Sequence, residues 1–306
     1  LYVGPPAGRG SVEGLQALNN ADVIFAFGSR LNQATTGWNF DVINPNTKII
    51  QVDIDPLEIG RNYPVTVGIV GDAKAVGQQL LEVLKDKFPE GKPNPDWRKK
   101  VEELAATRIA RLENEANIPA SNPMKPERVY PELRKVLPKN CMVSIDAGVT
   151  AGLAYDRLFF EEPRTMFNYS QQGGLGMGLC VGLGTKLGRP DRPAITLSGD
   201  GGFLYSSQEL NTAVRHNIPV VNIVLNNSCQ GAEKSIQQRS YDGKYIGVDL
   251  FNPRFDKLAE VHGARGFYVE NPNEIANAVE EALKLDVPSV VEIPVSQDFP
   301  WPSKLQ

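Results

Sequence analysis

Two side chains with hard oxygen donors stand just past the ends of successive apolar runs. Asp200 lies in Gly199-Asp200-Gly201-Gly202, after the run Pro193–Ser198. Asn227 closes Asn226-Asn227, after the run Pro219–Leu225, and lies 27 positions after Asp200. A carboxylate and an amide oxygen suit Mg²⁺ that also holds phosphate oxygens. Tight glycines before a helix offer free backbone N–H groups and the positive end of a helix dipole to a phosphate. Gly-Asp-Gly alone is a common turn, and Asn-Asn after a strand is a common cap. Their combination at this spacing asks for a diphosphate-bearing cofactor with its metal.

The elements that must position them are strand, loop, helix and strand. The helical stretch is expected over Tyr205–His216, and the two strands are parallel, so Asp200 and Asn227 fall at strand carboxyl ends, where open α/β sheets bind ligands. The alternation continues through residues 124–296: Pro126–Val136, Met142–Asp146, Thr150–Phe160, Ala194–Ser198, Val220–Leu225, Asp256–His262, Gly266–Val269, Asn273–Leu285 and Ser289–Ile293. That pattern predicts a parallel sheet with helices on both faces. Residues 1–87 read as a smaller α/β unit, with strands at Asp22–Phe27, Lys48–Asp53 and Val67–Val70 and a helical stripe through Val76, Leu80, Leu81 and Leu84. Phe88–Asp96 is a Pro-rich boundary, and Trp97–Asn117 a polar amphipathic connector. The expected division is therefore 1–90, a linker helix in 91–123, and 124–306, with an irregular tail from Gln297.

Of the 306 residues, 41% are hydrophobic and 22% charged, with a net charge of −4, as in soluble globular proteins. No basic stripe points to nucleic acid, and no apolar run is long enough for a membrane span. Cys141, Cys180 and Cys229 are odd in number and far apart, which suggests a reducing, cytoplasmic setting. With only His216 and His262, both read as helix-end residues, difficult chemistry is left to a cofactor.

These residues resemble the metal-diphosphate motif of thiamine-diphosphate-dependent enzymes of the acetolactate synthase superfamily. Gly173-Gly174-Leu175-Gly176 is similar to that family's glycine-rich segment under the cofactor, and Ser144-Ile145-Asp146-Ala147-Gly148 to its strand-end diphosphate loop. Asp53-Ile54-Asp55-Pro56 and Val67–Ala73 resemble its central domain, and the likeness runs over about residues 1–295. The resemblance implies an α/β architecture of parallel sheets flanked by helices: a thiamine-diphosphate-binding fold plus a partial, Rossmann-like central domain. It implies that Asp200 and Asn227 give side-chain oxygens, and Cys229 its carbonyl, to Mg²⁺. Gly199, Gly201 and Gly202 would cradle the diphosphate, with Thr150 adding a hydroxyl or serving as a helix N-cap. Gly173 would meet the aminopyrimidine. Leu175 would either hold the cofactor bent, bringing its amino group to its C2 proton, or be plain core.

Gly231-Ala232-Glu233-Lys234 would face the substrate. That stretch, Tyr245–Leu250, Val3–Ser11 and Phe27–Asn32 are most similar to the sulfoacetaldehyde acetyltransferases, which cleave sulfite from sulfoacetaldehyde and pass acetyl to phosphate. Lys234 either neutralises an anionic substrate group or is a solvated helix residue. The alternatives are an acetolactate-synthase-type carboligase and an inactive or regulatory fragment. FAD on Asp53 and Asp55 is less favoured than a proline-started helix capped by Asp55. The family's activating glutamate sits in an N-terminal pyrimidine-binding domain with no counterpart here. That domain is expected in cis or on another chain, and a homodimer or homotetramer acting on a small molecule is the implied assembly.

Overall fold

A computed structural model describes residues 1–6, 10–36, 39–168 and 173–299. Ala7–Arg9 of the opening segment and the tail from Pro300 lie outside the described residues. The chain divides into two compact units, residues 1–110 and 111–300. The helix Pro95–Asn114, expected as a separate linker, is shared between them.

In the first unit, β1 (Val23–Phe27), β2 (Lys48–Asp53) and β3 (Val67–Val70) form a parallel sheet in that order. One face buries Ile24, Ala26 and Ile49 against Leu31, Ile43 and Tyr63. Helix Val12–Asn20 starts at Ser11, whose hydroxyl accepts Gly14 N–H, and helix Ala73–Lys87 starts at Asp72, which accepts Ala75 N–H. The helix expected after Asp55-Pro56 is instead a series of turns. Asp53 Oδ1 accepts Asp55 N–H and Asp55 Oδ1 accepts Leu57 N–H, so both carboxylates stabilise local turns of the kind Asp favours.

The second unit is a six-stranded parallel sheet. Its strands are β4 (Met142–Ile145), β5 (Met166–Asn168), β6 (Ala194–Gly199), β7 (Val221–Asn226), β8 (Arg265–Tyr268) and β9 (Ser289–Pro294), in the order β5-β4-β6-β7-β9-β8. Strands β4, β6, β7 and β9 are buried along almost their whole length. That is why they read as continuous apolar runs rather than alternating ones. One face packs Tyr130, Leu133, Ile145, Leu197 and Leu225, and the other Leu179, Phe203, Val224 and Phe255. Inside the sheet, Thr196 Oγ1 donates to Asn222 Oδ1 at 2.6 Å and Asn222 Nδ2 donates to the Ser289 carbonyl at 3.0 Å. This buried polar ladder joins β6, β7 and β9 and favours one register, because a slip would strand its groups unpaired.

The chain leaves β4 toward β5, then returns to place β6 on the other side of β4. The carboxyl ends of β4 and β6 therefore flank the topological switch point, the standard ligand position in such sheets.

Two helices differ from expectation. The one expected over Tyr205–His216 begins earlier, at Asp200–Leu204, and resumes as Glu209–Arg215. Tyr205 and Ser206 N–H bond three residues back, to Gly202 and Phe203, which tightens the path and ends the first helix. Thr150–Phe160 is likewise two short helices, Val149–Gly152 and Ala154–Arg157, with Gly152 weakening the helix at the join. Strand β5 was missed because three edge residues carry no periodicity.

Candidate active site

Ser198 pairs with Val224 and Gly199 with Leu225, so Asp200 and Asn227 emerge from adjacent strands. Asp200 is 2% exposed and Asn227 5%. One end of the Asn227 amide stands 3.2 Å from Asp200 Oδ1 and 3.1 Å from the Cys229 carbonyl. With the nitrogen there, the amide would donate to both oxygens. With the oxygen there, three oxygens converge, and that is the orientation a cation would select.

The spacing tests the fit. Adjacent ligand oxygens around an octahedral ion lie √2 times the metal–oxygen distance apart. Mg²⁺ at about 2.0–2.1 Å gives about 2.8–3.0 Å, and Ca²⁺ at about 2.3–2.6 Å gives about 3.3–3.7 Å. The observed 3.1–3.2 Å falls in the gap between the two ranges, a spacing that a hard divalent ion closes with a small shift of the loop. One carboxylate, one amide and one carbonyl suit a hard cation that keeps further positions for phosphate and water. Among the described residues, no three His, Cys, Asp or Glu side chains gather for a metal, and the donors that do meet here are oxygens, unlike the nitrogen and sulfur sets of zinc.

The loop is braced from behind. Ser228 has a left-handed φ of +54°, uncommon for a residue with a side chain. Asn226 Oδ1 accepts its N–H, Leu250 N–H donates to its carbonyl, and Gln230 N–H donates to the Val248 carbonyl. Residues 248–250 thus form a short antiparallel support for the Asn227–Gln230 loop. Cys229 N–H donates to Asp200 Oδ2 at 3.2 Å, and burial pushes the Cys229 thiol up to about 12, so its sulfur stays protonated and the backbone is its useful part.

The glycines are there because side chains would collide. A Cβ on Gly202 would lie 2.7 Å from Asp146 Oδ2, and one on Gly201 2.7 Å from Gln230 Oε1. Gly176 has φ +82° and would bring a Cβ to 2.8 Å from that of Tyr205. Asp146 is the pin between these loops and was not singled out from sequence as a site residue. It is fully buried, and N–H groups of Ala147 (2.7 Å), Gly176 (3.1 Å) and Gly178 face its carboxylate. Burial raises its carboxyl above the ordinary range, with those N–H groups pulling the other way. Burial raises Asp200 likewise, against donors from Asn252, Gly201 and Cys229.

The remaining expected residues are placed as follows. Thr150 is buried, with Oγ1 3.2 Å from where a Cβ on Gly199 would sit, and its carbonyl accepts the Tyr130 hydroxyl. It is inside the first turn of its helix, whose N-cap is Gly148. Gly173 is exposed at φ +65°, and Leu175 is half-buried ahead of helix Met177–Gly188. Gly231 opens helix Gly231–Ser240, beside Asn227 and Phe299. Glu233 is exposed. Lys234 Nζ contacts Asp249 Oδ1 at 2.5 Å and Gln297 Oε1 at 2.7 Å, and it lies over the Tyr245 ring. Its charge is therefore already paired. Gln297 in turn donates to the Asn227 carbonyl at 2.9 Å.

Sequence reading also missed Asn252, whose Nδ2 donates to Asp200 Oδ2 at 2.7 Å, and Glu292, which accepts from Asn226 at 2.8 Å. Asn226, Asn227, Asn252, Arg254, Tyr268 and Glu292 also line a cleft of about 480 Å³. His216 and His262 both fall at helix C-caps.

Oxygen donors beside a glycine cradle, at the carboxyl edge of a parallel α/β sheet, form the kind of site in which such folds bind phosphorylated ligands. Residues 146–293 match the family profile described as "Thiamine pyrophosphate enzyme, C-terminal TPP binding domain", and residues 1–80 match "Thiamine pyrophosphate enzyme, central domain". The chain belongs to the thiamine pyrophosphate enzyme family. It is 31% identical to a sulfoacetaldehyde acetyltransferase of Alcaligenes xylosoxydans xylosoxydans, over 94% of this chain and 51% of that protein. It is 30% identical to the acetolactate synthase large subunit of Haemophilus influenzae, over 93% and 49%. It is 31% identical to an acetolactate synthase of Mycobacterium avium, over 98% and 49%. The chain thus spans about half the length of the curated relatives it matches. Among the described residues, no helix is long and apolar enough to cross a membrane.

Proposed function

We propose that the full-length protein is a thiamine-diphosphate- and Mg²⁺-dependent enzyme that cleaves or forms a C–C bond in a 2-keto acid or related carbonyl compound. The observation that carries this reading is the end of the Asn227 amide standing 3.2 Å from Asp200 Oδ1 and 3.1 Å from the Cys229 carbonyl, with the Gly201-Gly202 turn following Asp200. When bound, the cofactor supplies the carbon nucleophile and the electron sink. The chain's own part is binding and orientation. Asp200, Asn227 and the Cys229 carbonyl hold the cation, and Gly202 N–H and Thr150 Oγ1 take diphosphate oxygens. Asp146 keeps Gly176 and Gly202 in place, and Gly173 and Leu175 meet the cofactor's rings. A pyrimidine-binding domain, in cis or on another chain, brings the activating glutamate within a homodimer or homotetramer in the cytoplasm.

Of the reactions in this class, acyl transfer from sulfoacetaldehyde to phosphate is the leading one, supported by Gly231-Ala232-Glu233-Lys234 and by relatives bearing that name. The acetolactate-forming carboligation is the second reading. It is favoured by the pairing of Lys234 with Asp249, which leaves that lysine less free to meet a sulfonate. The full-length protein, given thiamine diphosphate and Mg²⁺, is assayed with sulfoacetaldehyde plus phosphate and, separately, with pyruvate alone. Sulfite and acetyl phosphate in the first assay are expected. Acetolactate from pyruvate with no acetyl phosphate in the first assay would reverse the order of the two readings. No product in either would refute the enzyme.

A further inference from the structure

The two oxygens of Asp200 are treated differently by the fold. Oδ1 faces the Asn227 amide. Oδ2 accepts Asn252 Nδ2 at 2.7 Å and Cys229 N–H at 3.2 Å. Asn252 Nδ2 also donates to Asn226 Oδ1 at 2.9 Å, so both its hydrogens are committed. Its orientation is thereby set, because the opposite one would aim the amide oxygen at a carboxylate and a carbonyl oxygen.

Asn226 is fixed just as firmly. Its oxygen accepts Ser228 N–H at 3.1 Å and its nitrogen donates to Glu292 Oε1 at 2.8 Å. Glu292 is 1% exposed, and its other oxygen accepts the N–H groups of Phe255 (2.7 Å) and Asp256 (3.3 Å). Those residues follow Asn252 by three and four positions. The carboxylate that orients Asn226 therefore also anchors the segment carrying Asn252, and the set closes on itself.

We infer that Asn252 is a positioning residue that sets cation choice: by occupying Asp200 Oδ2 it commits Asp200 to single-oxygen ligation through Oδ1, which favours a small octahedral divalent ion over a larger one. The inference rests on the thiamine-diphosphate and Mg²⁺ reading above. Mg²⁺ demands near-ideal octahedral geometry, whereas Ca²⁺ accepts six to eight oxygens and takes both oxygens of a carboxylate readily. Groups that hold a ligand in place typically change metal affinity about 10–100-fold when removed.

The test is calorimetric titration of Mg²⁺, and separately Ca²⁺, into full-length protein saturated with thiamine diphosphate. It compares wild type with Asn252→Ala and with the volume-conserving Asn252→Leu, which carries the same test if the alanine variant does not fold. The expected result is a Mg²⁺ Kd raised about 10-fold or more with a much smaller change for Ca²⁺, so that the preference for Mg²⁺ narrows. A Mg²⁺ Kd equal to wild type overturns the inference, and so does an equal loss for both ions, which a merely structural role would give. Wild-type protein that binds neither ion overturns the cofactor reading along with it. Wild type that binds Mg²⁺ no better than the variants overturns this inference alone.

Discussion

Replacing Asp200 by asparagine separates what the carboxylate does for the cation from what it costs the fold. The substitution keeps the shape of a 2%-exposed side chain. The amide oxygen can still accept from Asn252 and Cys229, where Oδ2 does so now at 2.7 and 3.2 Å. The amide nitrogen then takes the place of Oδ1, 3.2 Å from the end of Asn227, and donates to it. In the ligand-free fold the Asn227 amide already bonds Asp200 Oδ1 through its nitrogen, so the gain is the removal of a buried charge, on the order of 1 kcal/mol, or about 2–4 °C in melting temperature for a unit of this size. Without ligands, Asp200→Asn is thus expected to melt higher than wild type at pH 7. With Mg²⁺ at a hundred times its Kd and thiamine diphosphate present, wild type gains about 2.7 kcal/mol, roughly 5–11 °C, and the variant gains none of it.

The pH dependence has a definite sign. Burial raises the folded pKa of Asp200 above its unfolded value of about 3.9. The proton is then held more tightly in the fold, so this group's contribution is complete below the unfolded pKa and is lost as pH rises through the folded one. Ligand-free wild type should gain stability relative to Asp200→Asn as pH falls from neutral into the carboxylate range. Asp146 and Glu292 are raised in the same direction by burial, and their presence in both proteins leaves Asp200 as the difference. Melting curves with and without ligands, across pH, check all three points. An asparagine variant that melts lower without ligands, or that responds to Mg²⁺ as wild type does, would show the reasoning to be wrong.

Two glycine substitutions test the cradle and its control. Gly202→Ala places a Cβ 2.7 Å from Asp146 Oδ2, which cannot yield while Ala147 and Gly176 hold it. A stability loss of about 1–3 kcal/mol and a clear drop in calorimetric affinity for thiamine diphosphate are expected, and wild-type values for both would refute the pin role of Asp146. Gly182→Ala meets Thr196 Cγ2 at 2.2 Å, in the sheet interior away from the cation ligands. It should lower the melting point by a comparable overpacking penalty while leaving Mg²⁺ affinity unchanged, and an altered affinity would mean the sheet interior and the loop are coupled.

The proposed cation ligands, Asp200 and Asn227, could be picked out because the motif is local. Each ligand follows its own apolar strand, and the strands' burial on both faces makes those runs unmistakable. Asp146, Asn252 and Glu292 reach the site from 30, 52 and 66 positions away in sequence from the partners they serve. Nothing in a local pattern marks an asparagine before a proline as the partner of a distant carboxylate. Lys234 showed the same limit: the sequence left it open between an anionic substrate group and a solvated helix face, and its contact with Asp249, 15 positions away, leaves no mark in a local pattern. The helix interruption after Leu204 was hidden because the apolar spacing runs through it, while the hydrogen bonds that tighten the chain there depend on tertiary placement.

The register Gly199↔Leu225 carries a further consequence for the 27-residue spacing with which the site begins. What holds Asp200 beside Asn227 is the pairing of two strands, and the intervening helices only return the chain to the sheet. The count between the two residues is therefore a by-product of crossover length. Insertions among Tyr205–Gln208 could lengthen it without moving either ligand. A one-residue slip of β7 would instead bring Asn227 to the place where Asn226 meets Glu292 and put Ser228 in the place of Asn227 beside Asp200, removing the amide from the site. The motif is held in space by ladder pairing, and a search for such sites that relaxes the spacing but keeps the strand ends would lose none of the chemistry.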